Sequence, residues 1–186
     1  MSETGQLDPP ARDCALCPRL AGFREAQRTT HPDWFNAPVP SFGPDSAELL
    51  IVGLAPGLRG ANRTGRPFTG DYAGDLLYRS LLKFDWAAGD YAAHPQDGLV
   101  LQRARITNAV RCVPPQNRPE PAEVAACGRF LIGEFAAWIA GSRWRREARR
   151  HARRIASLES ELRATQAQLV GPEGRTPART AVCGSP

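Results

Sequence analysis

The chain has 186 residues, of which 42% are hydrophobic, and this length and composition predict one folded domain with a core of its own. No apolar run approaches the roughly 20 residues of a membrane span, and the polar start lacks a signal-peptide core, so we expect a cytoplasmic protein with no membrane association. The net charge of +5 comes from residues 138–186, because residues 1–137 carry 14 basic and 15 acidic side chains. The charge therefore does not by itself make the folded part a nucleic-acid-binding domain.

The first half of the chain predicts a helix, a buried strand, a long loop and a second helix. Apolar residues at helical spacing favour a helix within residues 14–30, and four prolines favour a loop over residues 31–47. Residues 49–53 are a short apolar run typical of a buried strand. The loop that follows, residues 54–71, is rich in glycine and arginine, and leucines at helical spacing predict a helix over residues 72–84.

The second half predicts one more strand, one more helix and a tail of different composition. We expect an irregular segment over residues 85–103, a strand over 106–110 and a helix over 119–137. In residues 138–186 an arginine-rich block is followed by leucines near heptad spacing, which predict one helix, and residues 171–186 are expected to be disordered.

The order strand, helix, strand, helix predicts an α/β fold, a three-layer α/β/α sandwich with a central parallel sheet. Only two strands are visible and no strand candidate follows residue 137, so we expect the sheet to be incomplete at its C-terminal end. Ligands of such sheets bind at the carboxyl ends of the strands. The loops at 53–71 and 107–118 both leave such ends, and a ligand site is predicted between them.

The cysteines predict a metal centre. Cys14 and Cys17 form a C-x2-C pair, and Cys112 and Cys127 form a wider second pair. Four thiolates suit either zinc or an iron–sulfur cluster, and both readings stay open on spacing alone. Taken singly, Cys127 could be a buried helix residue that packs as a small apolar side chain. Cys183 lies in the tail and has no partner in this scheme.

Three motifs together resemble the iron–sulfur uracil-DNA glycosylases. They are the C-x2-C pair, Gly-Leu-Ala-Pro-Gly at residues 53–57, and Asn-Ala-Val-Arg-Cys-Val-Pro-Pro-x-Asn-Arg-Pro at residues 108–119 before Cys127. Leu54 stands where the type-4 enzymes carry Glu, and the continuation over residues 60–71 is also similar to the type-5 branch. The resemblance covers about residues 14–135.

This resemblance implies a 4Fe-4S cluster of structural role held by Cys14, Cys17, Cys112 and Cys127. It implies excision of uracil, and of other deaminated bases such as hypoxanthine, from DNA, by a chain expected to act as a monomer. The implied catalytic residues are Asp71, as the carboxylate of the type-5 branch, and Asn108, which contacts the flipped base. The remaining substrate-binding positions come from the first motif and its continuation: Gly53, Ala55, Pro56, Gly57 and Phe68.

The residue chemistry agrees with these roles. A glycosylase must extrude a base, stack it and read its edge, and Phe68 can stack while Asn108 can both donate and accept. Asp71 can stabilise the positive charge that develops on the sugar, although it could equally cap the helix that begins at residue 72. Asn108 could be a buried strand-end residue bonded to the backbone. The arginines of the loop (Arg59, Arg63 and Arg66) could hold DNA phosphates or form a solvated face.

The resemblance ends near residue 137. The family has a second motif near its carboxyl end, a His-Pro-Ser-type loop, and His151 is followed by neither Pro nor Ser. We hypothesise that residues 138–186 are a tail outside the family pattern, produced by a frameshift or truncation, with a basic helix for DNA or a partner as the alternative. The alternatives for function are a catalytically inactive iron–sulfur DNA-binding remnant and a zinc-bound regulatory module.

Overall fold

The computed structural model describes residues 9–70, 72–141 and 143–169 of the chain. It divides into two compact units, Met1–Arg145 and Arg146–Pro186. The first unit contains both candidate sites, and the described part of the second is helical. The elements in chain order are α1 (Pro18–Thr30), β1 (Leu49–Gly53), α2 (Ala61–Thr64), α3 (Tyr72–Lys83), β2 (Ala87–Ala88), β3 (Val100–Leu101), β4 (Ala104–Asn108), a 3-10 turn (Pro115–Asn117), α4 (Pro121–Gly141) and α5 (Arg143–Leu169).

Helices α1 and α4 both begin at a proline. Pro18 and Pro121 occupy the first helical position, where the missing N–H of proline would have no partner in the helix anyway. Helix α1 therefore starts four residues later than the sequence predicts, and Cys17 is its extended N-cap residue. The C-x2-C pair consequently lies in the turn that leads into α1, where its side chains are not tied to helical spacing.

The parallel sheet of the prediction is confirmed. Strands β1 and β4 pair in parallel, with Leu49 opposite Ala104 and Gly53 opposite Asn108. Strand β4 starts two residues earlier than predicted, because Ala104 and Arg105 also pair with β1. Its outer edge is paired as well, since Phe42 and Ile106 exchange two backbone hydrogen bonds. Within the described residues this sheet has two strands, which agrees with the small sheet that the sequence predicts.

Helices cover both faces of the sheet. Ile106 of β4 shares a buried cluster with Tyr78 and other residues of α3. Its neighbours Arg105 and Thr107 donate hydrogen bonds of 2.7 and 2.8 Å to Glu134 of α4. Because successive strand residues point to opposite faces, α3 and α4 lie on opposite sides of β4. This is the layering of an α/β/α sandwich.

The irregular regions contain short elements that the sequence prediction missed. The loop after β1 includes the single-turn helix α2, and residues 85–103 include the antiparallel pair β2–β3. Both are too short to produce a periodic pattern in the sequence. The predicted tail helix corresponds to α5, with exposed apolar residues Ile155, Leu158 and Leu162. The predicted disorder of residues 171–186 lies outside the described residues.

Candidate active site and cysteine cavity

Gly53, Phe68 and Asn108 meet at the carboxyl end of the parallel sheet. Gly53 and Asn108 are register partners, so they face the same side of the sheet. A Cβ atom added to Gly53 would collide with Oδ1 of Asn108 and would lie 2.8 Å from Cε2 of Phe68. Glycine is therefore required where the ring and the amide approach the backbone. The structure thus brings these three residues together between the two strand ends, and their role in a ligand site stays a prediction.

The Asn108 side chain is nearly buried at this strand end. The residue is 3% exposed, and no side-chain hydrogen bond joins it to any residue of the described part of the chain. The predicted alternative, a strand-end Asn bonded to backbone, is thus not what the described residues show. A nearly buried amide with free donors and acceptors can read the edge of a planar ligand.

The loop after β1 is held against the segment that follows β4. The N–H groups of Ala109 and Val110 donate to the carbonyls of Gly53 and Leu54 at 2.8 and 2.9 Å, which extends the parallel pairing past the strand ends. Asn62 N–H donates to the carbonyl of Gly57 at 3.0 Å. This loop thereby stays close to Asn108, as a ligand site at the strand ends requires.

The remaining predicted substrate-binding positions lie in the same loop. Pro56 is buried, and Ala55 and Gly57 are half-buried. Ala55 packs against the cluster that contains Cys112 and Cys127. Asp71 lies outside the described residues, so its predicted catalytic role stays a prediction.

The three arginines of the loop differ in exposure and in pairing. Arg59 and Arg63 are exposed and remain available to phosphates. Arg66 has a side chain that is 4% exposed and pairs with Asp97 at 2.7 Å. The suggestion that Arg66 holds a DNA phosphate is therefore wrong, because its guanidinium already has a carboxylate partner away from solvent. Asp97 lies in a segment whose sequence pattern carries no signal for this pairing.

All four predicted ligand cysteines line one cavity. Cys14 and Cys17 come from the turn before α1, Cys112 from the segment after β4, and Cys127 from α4. The other walls are mostly apolar: Pro10, Leu16, Leu20, Val110, Arg111 and Phe130. No disulfide joins these four cysteines. Among the described residues, no group of three or more His, Cys, Asp or Glu is arranged to hold a single metal ion.

Hydrogen-bond donors face the sulfur atoms. Nη1 of Arg24 lies 3.3 Å from Sγ of Cys112, and the N–H of Arg111 lies 3.4 Å from Sγ of Cys127. Arg24 is 4% exposed, and its Nε is buried with no partner in the described structure. A buried cation beside the thiols with a donor to spare suits an anionic thiolate-ligated group, so the residues present fit an iron–sulfur cluster.

Burial keeps the thiols of Cys17, Cys112 and Cys127 protonated when nothing is bound. Desolvation raises the pKa of Cys112 to about 11 and also raises the pKa values of Cys17 and Cys127. Binding of a cationic metal group would release these protons, because the thiolate is the ligand form. The cavity is therefore lined by all four proposed ligand cysteines. The positive charge that would stabilise their thiolate forms has to come from the bound metal group.

A family model described as uracil DNA glycosylase superfamily matches residues 40–183, more than half of the chain. The chain belongs to the uracil DNA glycosylase superfamily. The resemblance found in its motifs is confirmed at this level. The match runs past residue 137, and the domain boundary that the sequence predicts there stays a prediction.

Individual members of the superfamily are similar over part of their length. A type-5 uracil-DNA glycosylase of Mycobacterium tuberculosis (strain CDC 1551 / Oshkosh) is 44% identical over 128 residues, covering 66% of this chain and 48% of the relative. A type-5 enzyme of Thermus thermophilus is 43% identical over 147 residues, covering 73% and 66%. A type-4 uracil-DNA glycosylase of Archaeoglobus fulgidus is 38% identical over 100 residues, covering 53% and 43%.

This superfamily member thus spans about half to two thirds of the length of the curated type-5 relatives it matches. In the described residues, no helix has the length and apolar character needed to cross a bilayer.

Proposed function

We propose that this chain is a DNA base-excision glycosylase that hydrolyses the N-glycosidic bond of uracil, and of other deaminated bases, in DNA. The observation that carries the proposal is the meeting of Gly53, Phe68 and Asn108 at the carboxyl end of the parallel sheet in a member of this superfamily. The substrate is proposed from the type-5 relatives, which are uracil-DNA glycosylases.

The pocket residues fit recognition of a flipped base. A base taken out of the duplex needs an aromatic face to stack on and a polar group that reads its edge. The Phe68 ring supplies the face, and the Asn108 amide can donate to a carbonyl oxygen and accept from a ring N–H. The missing side chain of Gly53 leaves room for the two to converge. Exposed Arg59 and Arg63 would hold phosphates of the DNA strand.

Asp71 is proposed as the catalytic carboxylate. As the bond between base and sugar breaks, the base leaves with the electron pair and positive charge develops on the sugar. A carboxylate next to the pocket stabilises that charge and accepts a proton from the water that adds to the sugar carbon. The support is its sequence position, between Gly70 of the pocket loop and the first residue of α3.

We further propose that Cys14, Cys17, Cys112 and Cys127 hold a 4Fe-4S cluster. The support is the single cavity that all four line and the N–H donors of Arg24 and Arg111 at the sulfur atoms. When bound, the cluster would supply four covalent thiolate bonds that join the start of α1, the segment after β4 and α4. Iron and sulfide analysis with a visible absorption spectrum distinguishes it from zinc, which is colourless.

The partner in this proposal is double-stranded or single-stranded DNA with a deaminated base, and the protein acts as a cytoplasmic monomer. Light scattering on the purified protein tests the monomer. The division into a glycosylase domain over residues 1–137 and a tail over 138–186 is also a proposal. Reading the other frames of the gene beyond codon 137 tests it: a frame that encodes further strands and a His-Pro-Ser-type loop supports the frameshift.

Excision of uracil from a labelled duplex tests the activity. We expect the cluster-loaded full chain to produce alkali-labile abasic sites at uracil, and Asp71→Asn to lower the single-turnover rate by about 10²- to 10⁴-fold. Asp33→Asn, in an exposed loop, is the matched control and should leave the rate unchanged. Folded, cluster-loaded wild-type protein that binds DNA but forms no abasic sites would instead identify the inactive remnant.

A further inference from the structure

We infer that the buried pair of Arg66 and Asp97 is a positioning device that holds the ring of Phe68 against Gly53 and Asn108. The expected effect on catalysis rests on the proposed function, whereas the effect on the position of the Phe68 ring does not. Arg66 and Asp97 are positioning residues, since neither faces the candidate pocket as a binding group.

The pair has the geometry of a rigid fork. Nη1 and Nη2 of Arg66 donate to the two carboxylate oxygens of Asp97 at 2.8 and 2.7 Å. The side chains are 4% and 2% exposed. Bidentate pairs of this kind fix the orientation of both partners as well as their distance. The orientation of Arg66 is thereby determined by the segment that carries Asp97.

Asp97 is itself fixed by its own loop. Its carboxylate accepts backbone N–H bonds from Ala92 at 2.9 Å, from Leu99 at 3.1 Å and from His94 at 3.4 Å. The hydrogen bonds from Arg66 hold the pKa of Asp97 well below its ordinary value, so the group stays ionised. The anchor of the pair is therefore a charged group that the backbone of residues 92–99 keeps in place.

Aromatic rings enclose the guanidinium. Its central carbon lies 5.5 Å from the ring centroid of Phe42, 5.2 Å from that of Tyr78 and 5.6 Å from that of Tyr91. Cation–π attraction strengthens in a desolvated site. The rings pack around the guanidinium while its Nη1 and Nη2 atoms point toward Asp97.

The same arginine also holds the backbone next to Phe68, which is one of six described non-glycine residues with a positive φ. Phe68 has φ of 52°, in the left-handed region that side chains larger than glycine rarely adopt. On one side of it, Nε of Arg66 donates to Oγ1 of Thr69 at 3.1 Å. The hydroxyl of Tyr78 donates to the carbonyl of Pro67 at 2.6 Å. Both neighbours of Phe68 are thus held by hydrogen bonds, one from Arg66 itself and one from Tyr78, whose ring lies against the Arg66 guanidinium, and these contacts offset the cost of its conformation.

The test removes both charges together, because a single change would leave the other charge buried, and the cost of that charge would add to the effect of losing the fork. The double variant Arg66→Met/Asp97→Leu fills the space of both side chains with apolar groups and removes the two hydrogen bonds of the fork. The control combines Arg103→Met with Glu48→Leu, which deletes an ion pair whose side chains are 48% and 33% exposed. Both variants are made in the full cluster-loaded chain, and folding is checked by circular dichroism.

The first readout does not need activity. With 4-fluorophenylalanine at all seven phenylalanines, the ¹⁹F resonance of Phe68 is assigned from its absence in Phe68→Leu. We expect this resonance to shift and broaden in the Arg66/Asp97 double variant, while Phe130 at the cysteine cavity and Phe84 on the surface keep their positions. The Arg103/Glu48 control should leave the Phe68 resonance where it is. An unchanged Phe68 resonance in the folded Arg66/Asp97 double variant overturns the inference.

The second readout separates positioning from binding. We expect the single-turnover rate on uracil-containing DNA to fall by about 10- to 100-fold in the double variant, while the affinity for the same DNA changes less than twofold. A rate equal to wild type despite the shifted ring contradicts the catalytic consequence. If the wild-type chain forms no abasic sites at all, the proposed function fails, and the ¹⁹F result still decides the positioning role.

Discussion

The base pocket and the cysteine cavity are assembled in different ways. In the pocket, strand register places Gly53 opposite Asn108, and the Arg66–Asp97 pair anchors the neighbours of Phe68. The cavity is lined by four thiols from three separate segments, and no disulfide joins them. Contacts within the described chain place these three pocket residues, whereas the proposed cluster would join the four cysteines of the cavity. The two sites therefore depend on different interactions.

The two sites nevertheless share a wall. The segment that starts at Asn108 reaches Cys112 four residues later, and Val110 between them both bonds the pocket loop and lines the cavity. Ala55 of the pocket loop packs on the same cysteine cluster. Loss of the cavity should consequently disturb the pocket, whereas damage inside the pocket should leave the cavity intact. The predictions below test this asymmetry.

The largest effect is expected for Cys112→Ser, which removes one proposed cluster ligand. Loss of a metal site belongs to the most destabilising classes of mutation, and we expect the free energy of unfolding to fall by about 4 kcal/mol. For a domain of this size the melting temperature would fall by about 8–16 °C. Thermal unfolding followed by circular dichroism, together with iron and sulfide content, measures both losses.

Cys183→Ser is the control for this change. Cys183 is the fifth cysteine, belongs to no predicted ligand set and lies outside the described residues. It should keep the iron content and the melting temperature of wild type. If Cys112→Ser lacks iron but has the melting temperature of the wild type, the cavity is stable without the proposed cluster.

Gly53→Ala should damage the pocket and spare the cavity. The added Cβ meets the Asn108 amide and the Phe68 ring, so both must move from the positions in which we propose that they contact the base. We expect the single-turnover excision rate to fall about 10²-fold, equivalent to about 2.7 kcal/mol of transition-state stabilisation, with unchanged iron content.

The matched control is Gly22→Ala in α1, where nothing lies within 4 Å of the added atom. Alanine has the higher helix propensity, so this variant should be as active as wild type and more stable by up to about 1 kcal/mol. Equal rates for Gly53→Ala and Gly22→Ala would remove Gly53 from the proposed pocket.

The sequence allowed the elements and the two residue sets to be predicted where the signal is local or periodic. Short apolar runs located β1 and β4, and helical spacing located α3 and α4 within a few residues. The predicted start of α1 is too early, because Leu16 fits the helical spacing of Leu20 and Phe23, whereas Pro18 begins the helix. The four cysteines could be grouped because few other roles unite such residues in one chain.

The contacts between distant segments could not be predicted. Arg66 looks from the sequence like its exposed neighbours Arg59 and Arg63, since all three are loop arginines. Its burial follows from Asp97, 31 residues away, in a segment without periodicity. A partner of this kind is determined by tertiary packing, which leaves no pattern within one chain. Arg24 beside Cys112 is a second case, as an arginine in a helix is ordinarily expected on the surface.

Acid should weaken the Arg66–Asp97 contribution to stability in a defined direction. The pKa of Asp97 is depressed in the folded protein, so its contribution is complete above the unfolded pKa of about 3.9 and is lost as the pH falls toward the folded value. Asn cannot titrate, so the difference in unfolding free energy between wild type and Asp97→Asn should shrink from about pH 6 to about pH 3. Urea unfolding of both proteins measures the difference, and a constant gap over this range would contradict the role of the charge.

The smallest effect is expected for Arg103→Gln. Arg103 donates to Glu48 at 3.0 Å and lies over the Trp86 ring at 4.3 Å, but both charged side chains are well exposed. Water screens such a pair, so the loss should be about 0.5–1 kcal/mol and should diminish further in high salt. Urea unfolding at two salt concentrations measures it. Because this pair and Arg66–Asp97 use the same chemical groups, a loss in Arg103→Gln as large as that in Asp97→Asn would mean that burial does not strengthen the anchor of Phe68.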